Sequence, residues 1–225
     1  MTELAPGVRL LTGFPKYGIN WYLVEDVLID AGGKPDKRRI LKQLRGHKVA
    51  AHALTHAHPD HQGASHAVCT ELGLPFWVGE QDVPAAERPE VIAERQPDHW
   101  LPKLMQRMFA GPGHKVDRAL REGDEVAGFR VLDVPGHSAG HVAFWRESDR
   151  VLIAGDVVNT MHPFTMKRGL REPLEVFTPD PAENRKSIRR IAELEPALLL
   201  VGHGPPLRDP QALRDFASAA TPSTL

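Results

Sequence analysis

Cysteine is almost absent from the chain: one residue, Cys69, in 225. It has no partner for an internal disulfide, which fits a reducing, cytoplasmic interior. Excess charge is missing too. Lys and Arg number 28 against 29 Asp and Glu, a formal net charge of -1. The basic surplus of a phosphate-backbone binder is therefore lacking, and no nucleic-acid partner is expected. Long apolar runs are equally scarce: Ala197 to Val201 falls far short of the roughly 20 residues a membrane span needs. Met1 to Gly7 shows neither the basic nor the apolar region of a secretory signal, so no membrane association is expected. No internal repeat or low-complexity tract appears. At 41% hydrophobic and 25% charged residues the composition excludes disorder and fibrous repeats, and the length suits one domain. What the chain has in quantity is histidine, 12 residues, and they are clustered.

Apolar runs alternate with helical patterns. Val8–Leu11 and Trp21–Val24 read as strands, with Val27–Ile29 pairing back across Glu25-Asp26. Pro35 opens a helix that turns Ile40, Leu41 and Leu44 inward and Lys37, Arg38, Arg39, Lys42 and Arg45 to water. A buried strand over 49–54 leads into a helix through Leu72, then a strand over 76–78. Residues 84–118 break the rhythm with prolines, and Leu101, Leu104, Met105 and Met108 mark one helical face there. Strands resume at 129–134, 141–145 and 151–154. A long connection over 157–181, a helix over 181–194, a strand over 198–201 and a last helix over about 210–219 follow. This order predicts sheets packed face to face with helices outside.

Residues 55–61 read Thr-His-Ala-His-Pro-Asp-His. In an extended segment residues two apart point the same way, so His56 and His58 reach one cation together. Asp60 and His61 fall where the chain turns into a helix and project toward a second point. His137, Asp156 and His203 each emerge where an apolar run becomes a Gly-rich loop, in Val134-Pro-Gly-His, Ala154-Gly-Asp and Val201-Gly-His-Gly. Imidazole and carboxylate without thiolate suits zinc, with manganese or iron as alternatives. Taken singly, His47, His52, His66 and His99 read as hydrogen-bonded core residues, His141 as a structural hydrogen bonder and Cys69 as a small packed side chain.

This ordered set resembles the metallo-β-lactamase fold superfamily of metallohydrolases, especially its glyoxalase II-like and lactonase-like branches. The resemblance implies an α/β (α+β) fold: a single-domain, four-layered αββα sandwich over residues 1–225 with metals at one edge of the sheets. It assigns His56, His58 and His137 to a first metal, Asp60, His61 and His203 to a second, and Asp156 to both as a bridging carboxylate. In the implied mechanism a metal-bridging hydroxide attacks the carbonyl of an ester, lactone or thioester, with Asp60 as proton shuttle. Asp30, Thr55 and Ser138 are candidates to orient the ligands from behind.

Departures from the resembled branches narrow the choice. Asp156 disfavours a true β-lactamase, and His58 disfavours a flavodiiron protein. The chain ends soon after His203, without the helical extension that binds glutathione, and Asn159 stands where acyl-homoserine lactonases carry Tyr. Specificity is expected to lie in a lid insertion, 84–118, offering Trp100, Leu104, Met105, Met108 and Phe109, and in an active-site loop, 157–181. That loop offers Asn159, His162, Lys167, Arg168 and Arg171 to a small-molecule substrate. A homodimer is compatible with this reading. Alternatives are a mononuclear iron oxygenase of the persulfide dioxygenase type using His56, His137 and Asp156, a phosphodiesterase-type hydrolase, and a non-catalytic metal-stabilised module.

Overall fold

The structure, a computed structural model, describes residues 1–219. Its first half runs β1 (Thr2–Ala5), β2 (Val8–Leu11), β3 (Trp21–Val24), β4 (Val27–Ile29), α1 (Lys37–Leu44), β5 (Ala51–Ala53), α2 (Pro59–Gln62), α3 (Ser65–Leu72), β6 (Phe76–Gly79), α4 (Val83–Glu87), α5 (Glu90–Arg95) and α6 (Trp100–Phe109). The second half runs β7 (Arg118–Leu120), β8 (Glu125–Val126), β9 (Phe129–Asp133), β10 (Val142–Arg146), β11 (Val151–Ile153), β12 (Asn159–Met161), β13 (Arg168–Arg171), α7 (Pro181–Glu193), β14 (Leu198–Leu200) and α8 (Pro210–Ala219). β1 to β7 form one sheet in sequence order, and β14-β11-β10-β9-β8 form another.

The strands read as continuous apolar runs because both of their faces are covered. Tyr22, Val24, Val27, Ile29, Val131, Phe144, Ile153 and Leu200 turn into the layer between the sheets. Their alternates Trp21, Leu23 and Leu28 turn outward into a layer that also holds Ile40 and Leu44 of α1 and Val68 of α3. On the other side Leu132, Trp145, Leu152 and Leu199 meet Ile188 and Ile191 of α7 and Leu213 of α8. Three apolar layers between two sheets and two helix sets make the αββα sandwich, in a single domain.

Strand direction sets the site. β4 and β5 are parallel neighbours, as are β11 and β14, while β9 and β11 both run antiparallel to β10. The C-terminal ends of β5, β9, β11 and β14 lead into the segments that carry His56 to His61, His137, Asp156 and His203, at one edge of the sandwich.

Several local expectations need correction. β1 carries no buried apolar run and is held by pairing with β2. A 3-10 turn over Lys34–Asp36 precedes α1. The helix expected through Leu72 is two pieces, α2 and α3, parted at Gly63, where a Cβ would meet Phe109 O at 2.1 Å. Residues 157–181 are not wholly loop, since β12 and β13 pair as a hairpin. In α6, Trp100, Leu104 and Met108 are exposed rather than packed inward. His47 is exposed, and His66 and His99 are only partly buried. Among the described residues no helix is long and apolar enough to cross a membrane.

His52 is buried on β5. Its Nδ1 lies 3.0 Å from Leu28 O, its Nε2 2.8 Å from Ser65 Oγ, and its ring stacks on Phe76. Burial pushes its pKa down to about 4 from an ordinary 6.5, the Leu28 carbonyl opposing only in part. The unfolded chain therefore binds the extra proton first. The stability His52 supports is complete above pH 6.5 and is lost as pH falls toward 4. We expect His52→Gln to flatten the pH dependence of unfolding by up to about 1.4 kcal/mol per pH unit in that window. Urea melts at stepped pH read it; an unaltered slope would place the titration elsewhere.

Candidate metal centre

The predicted ligand residues converge. His56, His58 and His137 each bring one ligand atom within 4.8 Å of the others. So do His56, His61 and Asp156, and so do Asp60, His61 and His203. The three groups overlap through His56 and His61, so they form one continuous cluster. His203 Nε2 lies 3.2 Å from Asp60 Oδ2 and 3.1 Å from Asp156 Oδ2. The local backbone permits this crowding. A Cβ on Gly202 would stand 2.0 Å from Asp156 Oδ1, so only glycine lets the β14 loop come so close to the carboxylate.

Each imidazole is gripped at one ring nitrogen and presents the other to the cluster. Asp30 accepts from Thr55 N–H at 2.8 Å through Oδ1, and from Thr55 Oγ1–H at 2.8 Å and His61 Nδ1–H at 2.9 Å through Oδ2. With its own proton committed to Asp30, the Thr55 hydroxyl accepts from His56 Nδ1 at 3.0 Å. One carboxylate thus orients two ligands, one directly and one by relay. Asp30 holds φ +60, the left-handed region, to do so. The Thr178 hydroxyl donates to Leu174 O and accepts from His137 Nδ1 at 3.1 Å. His203 Nδ1–H donates to Gly18 O. His58 is held the other way round, with Nε2 at 2.6 Å from the Gln96 amide.

These grips leave His56 Nε2 and His61 Nε2 buried without a hydrogen-bond partner among the described residues. Such groups cost a few kcal/mol each when unsatisfied. Divalent cations fit the donor set, because they take up those lone pairs and balance the carboxylates together. The charge pattern agrees. Burial, reinforced by neighbouring imidazoles, holds His56 and His137 well below the ordinary imidazole range, so both stay neutral. Burial also pulls on His61, but Asp156, Asp30 and Asp60 outweigh it and push it up to about 9. Burial would raise Asp60 and Asp156; the His61 and His203 charges prevail and hold both carboxyls below their usual range.

Asp82 went unnoticed in the sequence. It is buried; Oδ2 accepts from Ala57 N–H at 2.9 Å and Ser138 Oγ–H at 2.6 Å, and Oδ1 accepts from Gly140 N–H at 2.8 Å. It ties the His56–His58 segment to the His137 loop. Ser138 donates to Asp82 rather than to a ligand. His141 accepts from Asp156 N–H at 3.1 Å, fixing the backbone of that carboxylate.

The cluster floors a cavity of about 490 Å³, with His58, Asp60, His137, Asp156 and His203 at its base and Ile19, Met105, Phe109, Leu174 and Phe177 in its walls. Met105 and Asn159 line it; Trp100, His162, Lys167 and Arg168 do not. Trp100 is 65% exposed on α6. His162 Nδ1 accepts from Phe164 N–H and Thr165 N–H, closing a turn. Lys167 and Arg168 are exposed, and Arg171 donates to Lys167 O and Gly169 O within its own hairpin. Asn159 is buried, and with its amide nitrogen turned inward donates to Asp156 Oδ1 and Val158 O at 3.3 Å.

An αββα sandwich whose strand ends gather imidazoles and carboxylates within 4.8 Å of one another in overlapping groups suits a metal-dependent hydrolase. The chain belongs to the metallo-beta-lactamase superfamily, whose family model matches residues 15–203. It is 30% identical over 213 residues to the probable metallo-hydrolase YflN of Bacillus subtilis (strain 168), covering 86% of this chain and 81% of that protein. A metallo-beta-lactamase family protein of Thermus thermophilus superposes with a TM-score of 0.70 at 28% identity, over 96% of this chain and 79% of that one. The protein TTHA1623, solved in a di-iron-bound form, superposes with a TM-score of 0.60 at 30% identity, over 100% of this chain and 98% of that one.

The Asp30 relay makes a graded expectation. Asp30→Ala frees both His56 and His61 and is expected to weaken zinc binding by about 10- to 100-fold. Thr55→Val frees His56 alone and is expected to weaken it less. Competition with a chromophoric chelator measures both, and equal affinities in all three proteins would refute the relay.

Proposed function

We propose that the chain hydrolyses carboxylic esters, lactones or thioesters, using two divalent cations, zinc before manganese or iron. One observation carries the reading: the overlapping ligand groups lie at the floor of an apolar cavity. Three imidazoles, His56, His58 and His137, would hold one cation; Asp60, His61 and His203 would hold the other, with Asp156 between them. Bound there, such cations polarise a carbonyl oxygen and bring the ionisation of water toward roughly pH 7.

The chain's own residues supply the rest. Asp60 stays ionised at neutral pH, lines the cavity and is partly open to it. It would accept a proton from the attacking water and return it to the leaving oxygen or sulfur. Asn159 donates to Asp156 and keeps that carboxylate oriented. Met105, Phe109, Leu174 and Phe177 exclude water from the walls and suit an apolar acyl group. Arg39, at the rim, is drawn to Asp36 and Phe14, so little in the cavity favours a phosphodiester over a carbonyl substrate. Cys69 is buried, its thiol pushed up to about 12, and nothing in it calls for an oxidising compartment; a cytoplasmic setting suits it.

Metal quantification followed by a substrate panel on the same sample is the test. Two zinc ions per chain and turnover of ester, lactone or thioester, but not phosphodiester, are expected. Asp156→Ala should lose bound metal and at least on the order of 10²-fold in kcat/KM. One iron per chain with oxygen-dependent turnover would overturn the reading. Acyl specificity has its own test. Met105→Trp fills the wall, and kcat/KM for an octanoyl ester should fall roughly tenfold or more relative to an acetyl ester. A uniform loss across chain lengths would remove Met105 from the acyl site.

A further inference from the structure

His58 differs from the other four imidazoles in two respects. His56, His61, His137 and His203 are gripped at Nδ1 and present Nε2; His58 is gripped at Nε2 and so presents Nδ1. The other four grips come from Thr55, Asp30, Thr178 and Gly18, next to the ligands or in segments flanking the sandwich. The grip on His58 comes from Gln96, which caps α5 through its N–H to Ile92 O at 3.1 Å, inside the 84–118 segment.

The amide's chemistry sharpens this. An imidazole that binds a cation through Nδ1 carries its proton on Nε2 and needs an acceptor there. The Gln96 carbonyl oxygen is such an acceptor, and Oε1 is at present buried without a hydrogen-bond partner. Turning the amide brings Oε1 to His58 Nε2–H and gives that donor its acceptor. The neighbouring residue strengthens the attachment. Arg95 donates to Gln81 O at 2.7 Å and lies 3.8 Å from Asp82 Oδ1. Asp82 in turn holds Ala57 N–H beside His58 and Ser138 beside His137. The C-terminal end of α5 therefore touches the three-imidazole group at His58 and at the carboxylate that ties its two loops together.

We infer that Gln96 is a positioning residue that fixes the tautomer of His58, and that it couples the seating of α5 to cation binding at His56, His58 and His137. The inference rests on the reading of those residues as a cation site. Coupling of this kind is reciprocal: a seated α5 raises affinity, and a bound cation protects α5.

Zinc-loaded and chelator-stripped proteins test it, in wild type, Gln96→Leu and Gln96→Glu. Gln96→Leu keeps the size but has no acceptor, so one of the two zinc ions should bind about 10- to 100-fold more weakly while the other is unchanged. Gln96→Glu keeps an acceptor and should restore affinity to within a few-fold. Hydrogen exchange over residues 90–96 should slow on zinc addition in wild type and Gln96→Glu, and not in Gln96→Leu. Equal melting temperatures of the stripped proteins exclude a general folding defect. Wild-type affinity for both ions in Gln96→Leu, with the same exchange response, would overturn the inference while leaving the metal site standing. A wild-type protein that binds no zinc would overturn the site and the inference together.

Discussion

Five imidazoles and the Asp156 carboxylate, withdrawn from water at one edge of a sandwich beside the half-buried Asp60, are a cost that must be offset locally. The His56 and His61 ring centroids lie 4.1 Å apart with their planes tilted by 44°, and those of His56 and His58 lie 4.6 Å apart. Packing so many polar groups together is unfavourable unless each finds a partner, and protein groups satisfy only one nitrogen of most rings. A divalent cation held there would satisfy the remainder. Much of the surrounding structure follows from this need. Gly202 admits the β14 loop, Asp30 accepts a left-handed backbone, and Asp82 is buried whole to tie two loops together.

Much of this was readable from the chain because the signals are local. Alternation places His56 and His58 on one side, and apolar runs ending in Gly-rich loops place His137, Asp156 and His203 at strand ends. The sandwich was readable for the same reason, since strands buried on both faces show as unbroken apolar runs. What was not readable is non-local. Gly18 holds His203 through a backbone carbonyl 185 positions away, and no side-chain pattern announces a carbonyl. Thr178 and Asp82 are ordinary turn and helix-start residues until the fold brings them to partners 41 and 56 positions away.

The misreadings share a different cause. Leu104 follows the helical period of a buried face but is exposed on α6, whereas Met108 on the same face lines the cavity as a lid residue would. Lys167, Arg168 and His162 sit in a segment that does begin at Asp156. The β12–β13 hairpin stays beside the cavity through Pro163 and Phe164, but the polar groups of these three residues serve the hairpin or solvent. Adjacency in sequence to a ligand is therefore a weak guide once a hairpin intervenes.

The division of labour between scaffold and insertion is consequently incomplete. Most of the grip on the cluster belongs to strand ends and their loops, which fix the chemistry. The 84–118 segment supplies Met105 and Phe109 to the cavity wall and also reaches His58 through Gln96. A change that reshapes this segment would move the same helices that hold the amide. On the inferred role of Gln96, selectivity and cation affinity at the three-imidazole group would be linked, because both would depend on where α5 and α6 rest.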